Sequence, residues 1–312
     1  MISERGTLSL PFNSVFITYS VSYRNKKLYF SIFNMENFLT ITFMIPPFLE
    51  TILLAIIDFF YGLYPQKTPS IDQLKGAKLV SHRGERDNIS VFENTLESIG
   101  IAVQNGIWGV EFDIRWTKDL VPIVFHDPTA DRVFNKKITI KDQTFLELRE
   151  NLPLIPSLEE VVEKFGKKIH FLIEIKKEEF PFLEEQKIIL KKILSPLEEQ
   201  SDYHTLTLNP ETLPLVDFLK PGTKLLVAEL NFKHLLTIVE KENLGGLLGH
   251  YLFLGKRTLE KLQIKDQILG TGYVRSKNLF FREVNRGVHW IFSNHAVEVE
   301  KMRKELIQKQ ET

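Results

Sequence analysis

The sequence predicts an α/β protein whose parallel strands close into a (β/α)8 barrel. Three observations point there. Short apolar, β-branched runs recur from Lys78 to Asn294. Stretches of helical spacing separate them, and several end in Gly, the usual helix stop. Charged residues gather at the ends of the runs, where a parallel barrel places its functional side chains. Strand–helix alternation of this kind is the signature of a parallel α/β sheet.

The runs are, in order, KLVSH (78–82), GVEFDIR (109–115), PIVFH (122–126), IHFLIEIK (169–176), TLTL (205–208), KLLVAEL (224–230), LGGLLGHYLFL (244–254), QILGTGYV (267–274) and HWIFSN (289–294). Between them TLESIGIAVQNG (95–106) and SLEEVVEKFG (157–166) read as helices. Ser157 followed three residues later by Glu160 is a capping-box signature. The chain has 312 residues, room for one barrel of about 250 residues plus an extension.

The domain reading follows from composition. Residues 1–65 form an N-terminal extension, 66–77 a polar Pro/Ser/Lys linker (QKTPSIDQLK over 66–75), and 78–312 the barrel. Residues 1–34 show no sustained helical or alternating period. From Asn37 to Pro65 the chain is apolar, with Glu50 and Asp58 its charges. Pro46–Pro47 splits this run, so its strongest helical stretch is Phe48 to Tyr64, slightly short of the ~20 residues a spanning helix needs. Three readings stand: a transmembrane anchor, an interfacial helix lying on the membrane, or an amphipathic helix packed on the barrel. Glu50, Asp58 and Tyr61 share one side of such a helix, which suits the last two. The segment 37–65 therefore predicts membrane association; without it the expectation is a cytoplasmic protein.

Composition excludes several classes. Lys plus Arg and Asp plus Glu are 40 each, so the formal charge is zero and bulk electrostatic binding of nucleic acid is not expected. There is no cysteine, which removes disulfides, thiolate nucleophiles and Cys-ligated zinc.

The chemistry lies at the strand ends. His82 and Arg83 close the first run. Glu111 and Asp113 stand two apart on a strand and so share a face, as do Glu174 and Lys176. His126 and Asp127 end PIVFH. Strands covered on both faces should be apolar, and an unpaired buried carboxylate is very costly. Glu111, Asp113 and Glu174 are thus expected to share one divalent cation. All-oxygen ligation favours a hard ion, Mg²⁺ or Ca²⁺, over zinc. His82 and His126 remain to move protons near neutral pH. Arg83 and Lys176 would neutralise an anionic substrate. Together these describe cleavage of a phosphoester.

The order of the motifs resembles one family. HRG (82–84), ENT (93–95), EFD (111–113), TKD (117–119), HDPTADR (126–132), IPSLEEV (155–161) and EIK (174–176) are similar to those of the glycerophosphodiester phosphodiesterases. The resemblance runs from about Lys78 to Ala296 and weakens after residue 176. It implies a TIM barrel of the PLC-like phosphodiesterase type, with a small insertion at 127–153. It implies hydrolysis of a glycerophosphodiester to sn-glycerol 3-phosphate and an alcohol. By motif position His82 and His126 are the acid/base pair, and Glu111, Asp113 and Glu174 the metal ligands. Arg83 and Lys176 contact phosphate, and Glu93 and Asn94 support the first loop.

The chain departs from the family pattern in places. Phe92 replaces the Pro before ENT, Thr207–Leu208–Asn209 replaces S-F-D, and Gly272–Tyr273–Val274–Arg275 replaces W-T-V-N. The last change removes a pocket-lining Trp and leaves room for a larger group. Two alternatives accompany the leading reading. One is a lysophospholipase D or related phospholipid phosphodiesterase, so the small-molecule partner is a glycerophosphodiester or a lysophospholipid. The other is a binding module for phospholipid headgroups that turns nothing over.

Overall fold

The computed structural model describes residues 59–312 apart from 230, 253 and 312, preceded by the backbone of four strands. These are β1 (Ser3–Ser9), β2 (Val15–Ser22), β3 (Lys27–Asn34) and β4 (Leu39–Met44). They form an antiparallel sheet in chain order. Its register sets Ile17 opposite Ile32, Tyr19 opposite Phe30 and Thr18 opposite Ser31. Ile17, Tyr19 and Val21 do alternate with Thr18, Ser20 and Ser22, but the pattern is too short to stand out within residues 1–34. The front of the apolar run 37–65 is strand β4, ahead of the two prolines, and residues 59–63 at its end are helical. Residues 45–58, which carry most of the expected helix, lie outside the described residues. No helix among the described residues is long and apolar enough to cross a membrane.

The main body opens with α1 (Ile71–Gly76), capped by Ser70 and Gln73 in a reciprocal capping box. Eight parallel strands then close on themselves: β5 (Lys78–His82), β6 (Gly109–Trp116), β8 (His170–Ile175), β9 (Tyr203–Thr207), β10 (Lys224–Ala228), β11 (Gly246–His250), β12 (Ile268–Gly272) and β13 (Trp290–Ser293). The β13–β5 and β5–β6 pairings complete the ring. The (β/α)8 expectation holds.

One run breaks the parallel rule. PIVFH yields only β7 (Pro122–Val124), which pairs antiparallel with the far end of β6. The turn between them is set by the TKD motif. Thr117 Oγ1 donates to Asp119 Oδ1 at 2.6 Å and accepts from the Val121 N–H, while Leu120 takes a left-handed φ of 60°. A hydrophobic run carries no direction, so the pattern alone could not show that this strand returns.

The outer layer comprises α2 (Leu96–Gln104), α5 (Leu158–Phe165), α6 (Leu183–Leu194), α7 (Phe232–Lys241), α8 (Lys256–Ile264), α9 (Lys277–Asn285) and α10 (Ala296–Glu311), with α3 (Asp131–Phe134) and α4 (Phe145–Asn151) on the excursion after β7. Ser157 caps α5 reciprocally with Glu160, as its spacing predicts. After β9 the chain makes a 3₁₀ helix, Pro210–Val216, in place of an α-helix. Pro214 inside it lacks the N–H an α-helix would need. The excursion after β7 has its own small core of Ile123, Phe125, Ala130, Ile140, Leu148, Leu152 and Ile155.

The barrel interior is apolar midway, with Val80, Leu172, Leu206, Leu225, Leu248 and Phe292. At the N-terminal ends of the strands a polar-aromatic floor replaces it. Trp108 stacks on His170 at 4.5 Å between ring centroids, and Trp290 packs against Trp108, His170 and His204. His170 Nδ1 donates to the Ser201 carbonyl at 2.9 Å, so its Nε2 accepts from His204 Nδ1, also at 2.9 Å. Lys78 Nζ lies 4.8 Å above the Trp108 ring.

Candidate active site

The barrel's other end gathers the expected residues. Side chains alternate along a strand, so Glu111 and Asp113 of β6 project the same way, and the β6–β8 register sets Asp113 beside Glu174. One carboxylate oxygen from each of Glu111, Asp113 and Glu174 lies within 4.8 Å of the others, and all three residues are buried. Asp113 is fully enclosed and Glu111 is 2% exposed. Three like charges at that spacing in a low-dielectric setting repel strongly. Burial, with Asp113 and Glu174 alongside, drives the Glu111 carboxyl well above the usual range. Burial and Asp113 push Glu174 up to about 7, although Lys176 partly offsets them. Burial would also raise Asp113, yet the Lys176 and Arg83 charges hold it well below the ordinary value.

The cations are in place but do not satisfy every oxygen. Lys176 Nζ sits 2.7 Å from Asp113 Oδ1 and 2.5 Å from Glu174 Oε1. Arg83 Nε is 3.4 Å from Asp113 Oδ2. Glu111 Oε1 is buried and finds no hydrogen-bond partner among the described residues. A buried carboxylate oxygen with no donor is a costly vacancy. A hard divalent cation bound by Glu111, Asp113 and Glu174 fits this donor set.

The first loop explains its motif residue by residue. Arg83 takes a left-handed φ of 59° and Gly84 one of 75°. A Cβ on Gly84 would lie 2.7 Å from Ser98 Cβ and 2.8 Å from the Ser98 carbonyl carbon, so only glycine fits. The Arg83 N–H donates to Glu111 Oε2 at 3.1 Å, tying the loop to the carboxylate cluster. Glu93 receives Arg83 Nη1 at 3.0 Å, Arg132 Nη2 at 2.5 Å and Asn88 Nδ2 at 2.9 Å, with Arg86 Nε 3.4 Å away. Burial opposes ionisation of Glu93, but the Arg132 hydrogen bond and the Arg83 charge hold its carboxyl well below the usual range. Asn94 Nδ2 donates to Asp113 Oδ2 at 2.8 Å. Thr95 caps α2 in a reciprocal pair with Ser98. Each residue of ENT thus has its own task.

Two histidines flank the cluster. His126 follows β7, whose antiparallel course returns the chain to Asp113: the Phe125 N–H donates to the Asp113 carbonyl at 2.9 Å. His126 Nδ1 is 2.6 Å from Asp127 Oδ1, and Arg132 Nε donates to Asp127 Oδ2 at 2.6 Å. The Arg115 guanidinium holds the His126 carbonyl at 2.7 Å. Burial lowers the His126 pKa, with Asp113 countering. His82 ends β5, its Nε2 3.7 Å from Glu111 Oε2. Burial and the Arg83 and Arg86 charges press its pKa down to about 3.

All nine sequence-predicted residues therefore meet in one place. Sequence reasoning missed Arg86, Asn294 and Tyr273 as neighbours of His82. Asn294 Oδ1 lies 2.7 Å from His82 Nδ1, and the Tyr273 ring centroid is 4.7 Å from that of His82. The Tyr273 hydroxyl is 3.5 Å from His82 Nε2. The wall expected to be open after loss of the Trp is thus partly occupied by Tyr273, the next residue along. Arg132, Asp127 and Arg115 are further supports; the first two stand in the quoted HDPTADR motif.

Carboxylates that gather a hard cation, beside two imidazoles and fixed guanidinium and ammonium groups, suit a substrate whose charge sits on phosphoryl oxygens. Fold and site define a phosphoric diester hydrolase. The model of the Glycerophosphoryl diester phosphodiesterase family matches residues 82–241. The chain belongs to that family. It is 26% identical over 249 residues to a glycerophosphodiester phosphodiesterase of Bacillus altitudinis, covering 73% of this chain and 99% of that protein. Other curated relatives match locally, over 21% to 44% of their length. Two solved structures share the fold. A glycerophosphodiester phosphodiesterase from Thermotoga maritima superposes with a TM-score of 0.61 at 24% identity, over 72% of this chain and 98% of its own. An Oleispira antarctica phosphodiesterase, solved with the product sn-glycerol-3-phosphate, gives 0.62 at 21% identity, over 72% and 95%.

Proposed function

We propose that the chain hydrolyses a glycerophosphodiester to sn-glycerol 3-phosphate and an alcohol. The observation that carries this is the buried Glu111–Asp113–Glu174 group, flanked by His82 and His126 and by Arg83 and Lys176. A divalent cation held by the three carboxylates, Mg²⁺ or Ca²⁺, would supply Lewis-acid charge at the phosphoryl oxygens. Arg83 and Lys176 orient the phosphate and offset its charge. One histidine takes a proton from the attacking hydroxyl and the other gives one to the departing alkoxide; attack by water gives glycerol 3-phosphate directly, whereas attack by the glycerol 2-hydroxyl gives a cyclic phosphodiester that water then opens, breaking the bond from phosphorus to the 2-oxygen. Glu93 and Asn94 hold Arg83 and Asp113 in register for this. The catalytic unit in this reading is residues 78–312.

The test is release of glycerol 3-phosphate from glycerophosphocholine by the full-length chain with Mg²⁺, with Ca²⁺ and with EDTA. Metal-dependent release supports the reading. Binding without turnover at saturating metal would overturn it in favour of a headgroup-binding module, which the complete acid/base and carboxylate set argues against.

A lipid substrate, as for a lysophospholipase D, is the second reading, and one observation favours it. The helical residues 59–63 lie along the upper part of α9: Asn278 Nδ2 donates to the Gly62 carbonyl at 2.7 Å. The Tyr61 ring meets that of Tyr251 at 5.7 Å, and the Tyr251 N–H donates to the carbonyl of Gly272, next to Tyr273 and hence to His82. Phe59, Phe60, Leu63 and Tyr64 are each more than half exposed there. The apolar run therefore joins the barrel near its mouth, an arrangement that would bring the site to a membrane surface. Cleavage of lysophosphatidylcholine with no cleavage of glycerophosphocholine would make this the primary activity. Recovery of the full-length chain wholly in the soluble fraction, without detergent or salt wash, would remove the membrane association.

A further inference from the structure

His82 is held by two residues from opposite ends of the barrel sequence, and together they dictate which of its nitrogens carries the proton. Asn294 follows β13, the last strand, and its Oδ1 lies 2.7 Å from His82 Nδ1. Arg86, in the first loop, donates from Nη2 to the same Oδ1 at 3.0 Å. Its Nη1 donates to the His82 and Gly84 carbonyls. The guanidinium is anchored from the other side by Glu93, 3.4 Å from Nε.

The hydrogen-bond inventory leaves one solution. A guanidinium is a donor only. The Asn294 amide must therefore turn its oxygen, not its NH₂, toward Arg86. With that oxygen fixed as an acceptor, His82 Nδ1 at 2.7 Å must be the donor, because two lone pairs at that distance repel. Arg86 Nη2, 3.4 Å from Nδ1, is the longer contact and does not supply the proton that the 2.7 Å approach of Nδ1 to Oδ1 requires. Neutral His82 is thus the Nδ1–H tautomer. Its Nε2 faces Glu111 Oε2 at 3.7 Å and the Tyr273 hydroxyl at 3.5 Å with its lone pair available.

We propose that Arg86 and Asn294 are positioning residues that lock His82 in the Nδ1–H tautomer and so present a bare Nε2 to the substrate. Neither touches the carboxylate cluster. Arg86 acts on Asn294, and Asn294 acts on the imidazole. The same logic orders other catalytic histidines, where the group on one nitrogen decides the state of the other. Its consequence for rate rests on the phosphodiesterase reading; its consequence for the tautomer does not.

The test reads both. Nitrogen NMR of the full-length chain labelled with ¹⁵N-histidine distinguishes Nδ1–H from Nε2–H imidazole, and the His82 signals are those missing in His82→Gln. Wild type should show His82 protonated at Nδ1. Asn294→Leu should raise the Nε2–H fraction and lower kcat about tenfold, with KM within about twofold. Asn294→Asp, which keeps the acceptor oxygen, should retain the Nδ1–H form and most of kcat. Arg86→Gln should fall between them. An Nε2–H signal for His82 in the wild type would overturn the proposal whatever the variants do. So would an Asn294→Leu protein with unchanged tautomer and kcat. Should Asn294→Leu fail to fold, the wild-type spectrum and Arg86→Gln still decide. If no diester is cleaved yet the tautomer responds as stated, the functional reading fails and the positioning assignment stands.

Discussion

His126 and Asp127 are neighbours in sequence whose side chains bond each other, Nδ1 to Oδ1 at 2.6 Å, while Arg132 grips the remaining Asp127 oxygen. Asp127 thereby turns the imidazole and stabilises its protonated form. Asp127→Asn should lower kcat by about ten- to a hundredfold with little change in KM. His126→Ala should abolish turnover and leave metal affinity largely intact. Steady-state kinetics beside metal titration calorimetry reads both, and a loss of metal binding in His126→Ala would contradict the assignment.

Glu111 is a liability to the metal-free fold, since burial and two neighbouring carboxylates oppose its charge and Oε1 finds no partner among the described residues. Glu111→Gln should therefore raise the Tm of the metal-free protein. In the native protein, Mg²⁺ or Ca²⁺ at a hundred times its Kd should add about 2.7 kcal/mol of stability. In the variant that gain should shrink and activity should be lost with it. A thermal melt with and without EDTA measures the difference, and equal metal stabilisation of both proteins would count against the site.

Gly84 tests the geometry of the first loop. Gly84→Ala asks an L-residue to adopt φ 75° with its Cβ inside the Ser98 backbone contact distance. A cost of about 2–4 kcal/mol is expected from strain and clash combined. Denaturant unfolding would show it as a lower midpoint, and activity should fall further than stability because Arg83 and the Glu111 contact move with the loop.

The floor of the barrel should make the fold acid-sensitive. Burial presses the His170 pKa down to about 4 and that of His204 down to about 3, from an unfolded value near 6.5. The unfolded chain then binds more protons than the native one as pH falls below 6.5, so the pair's contribution is complete above that value and is lost toward pH 4. For His170 the loss is on the order of 3 kcal/mol. Substituting both with Gln should flatten the dependence of Tm on pH between 6.5 and 4, and an unchanged slope would assign the acid sensitivity elsewhere.

Much of this was legible in the sequence because strand periodicity constrains charge so tightly. Glu111 and Asp113, two apart in an otherwise apolar run, had to share the inside of a barrel, and there they meet Glu174. Ser157 and Glu160 capped α5 where their spacing said. What escaped has physical reasons. The backward course of β7 depends on the Thr117–Asp119 turn, not on its hydrophobic pattern. Asn294 reaches His82 across 212 positions of sequence, and Arg86 resembles an ordinary charged loop residue until the fold turns it inward. Residues 17–22 alternate cleanly, but mixed flanking segments obscured the strand.

Trp108, Trp290, His170 and His204 fill the barrel at the end remote from the carboxylates. Packed side chains therefore close that end of the barrel, and the carboxylates lie toward the opposite one. Substrate and product would share that opposite end, where Tyr273 stands against His82 and Arg83 against Asp113. Glycerol 3-phosphate, lingering on the cations that received the diester, should compete directly with incoming substrate. Turnover at high product would then be governed by departure through a shared doorway.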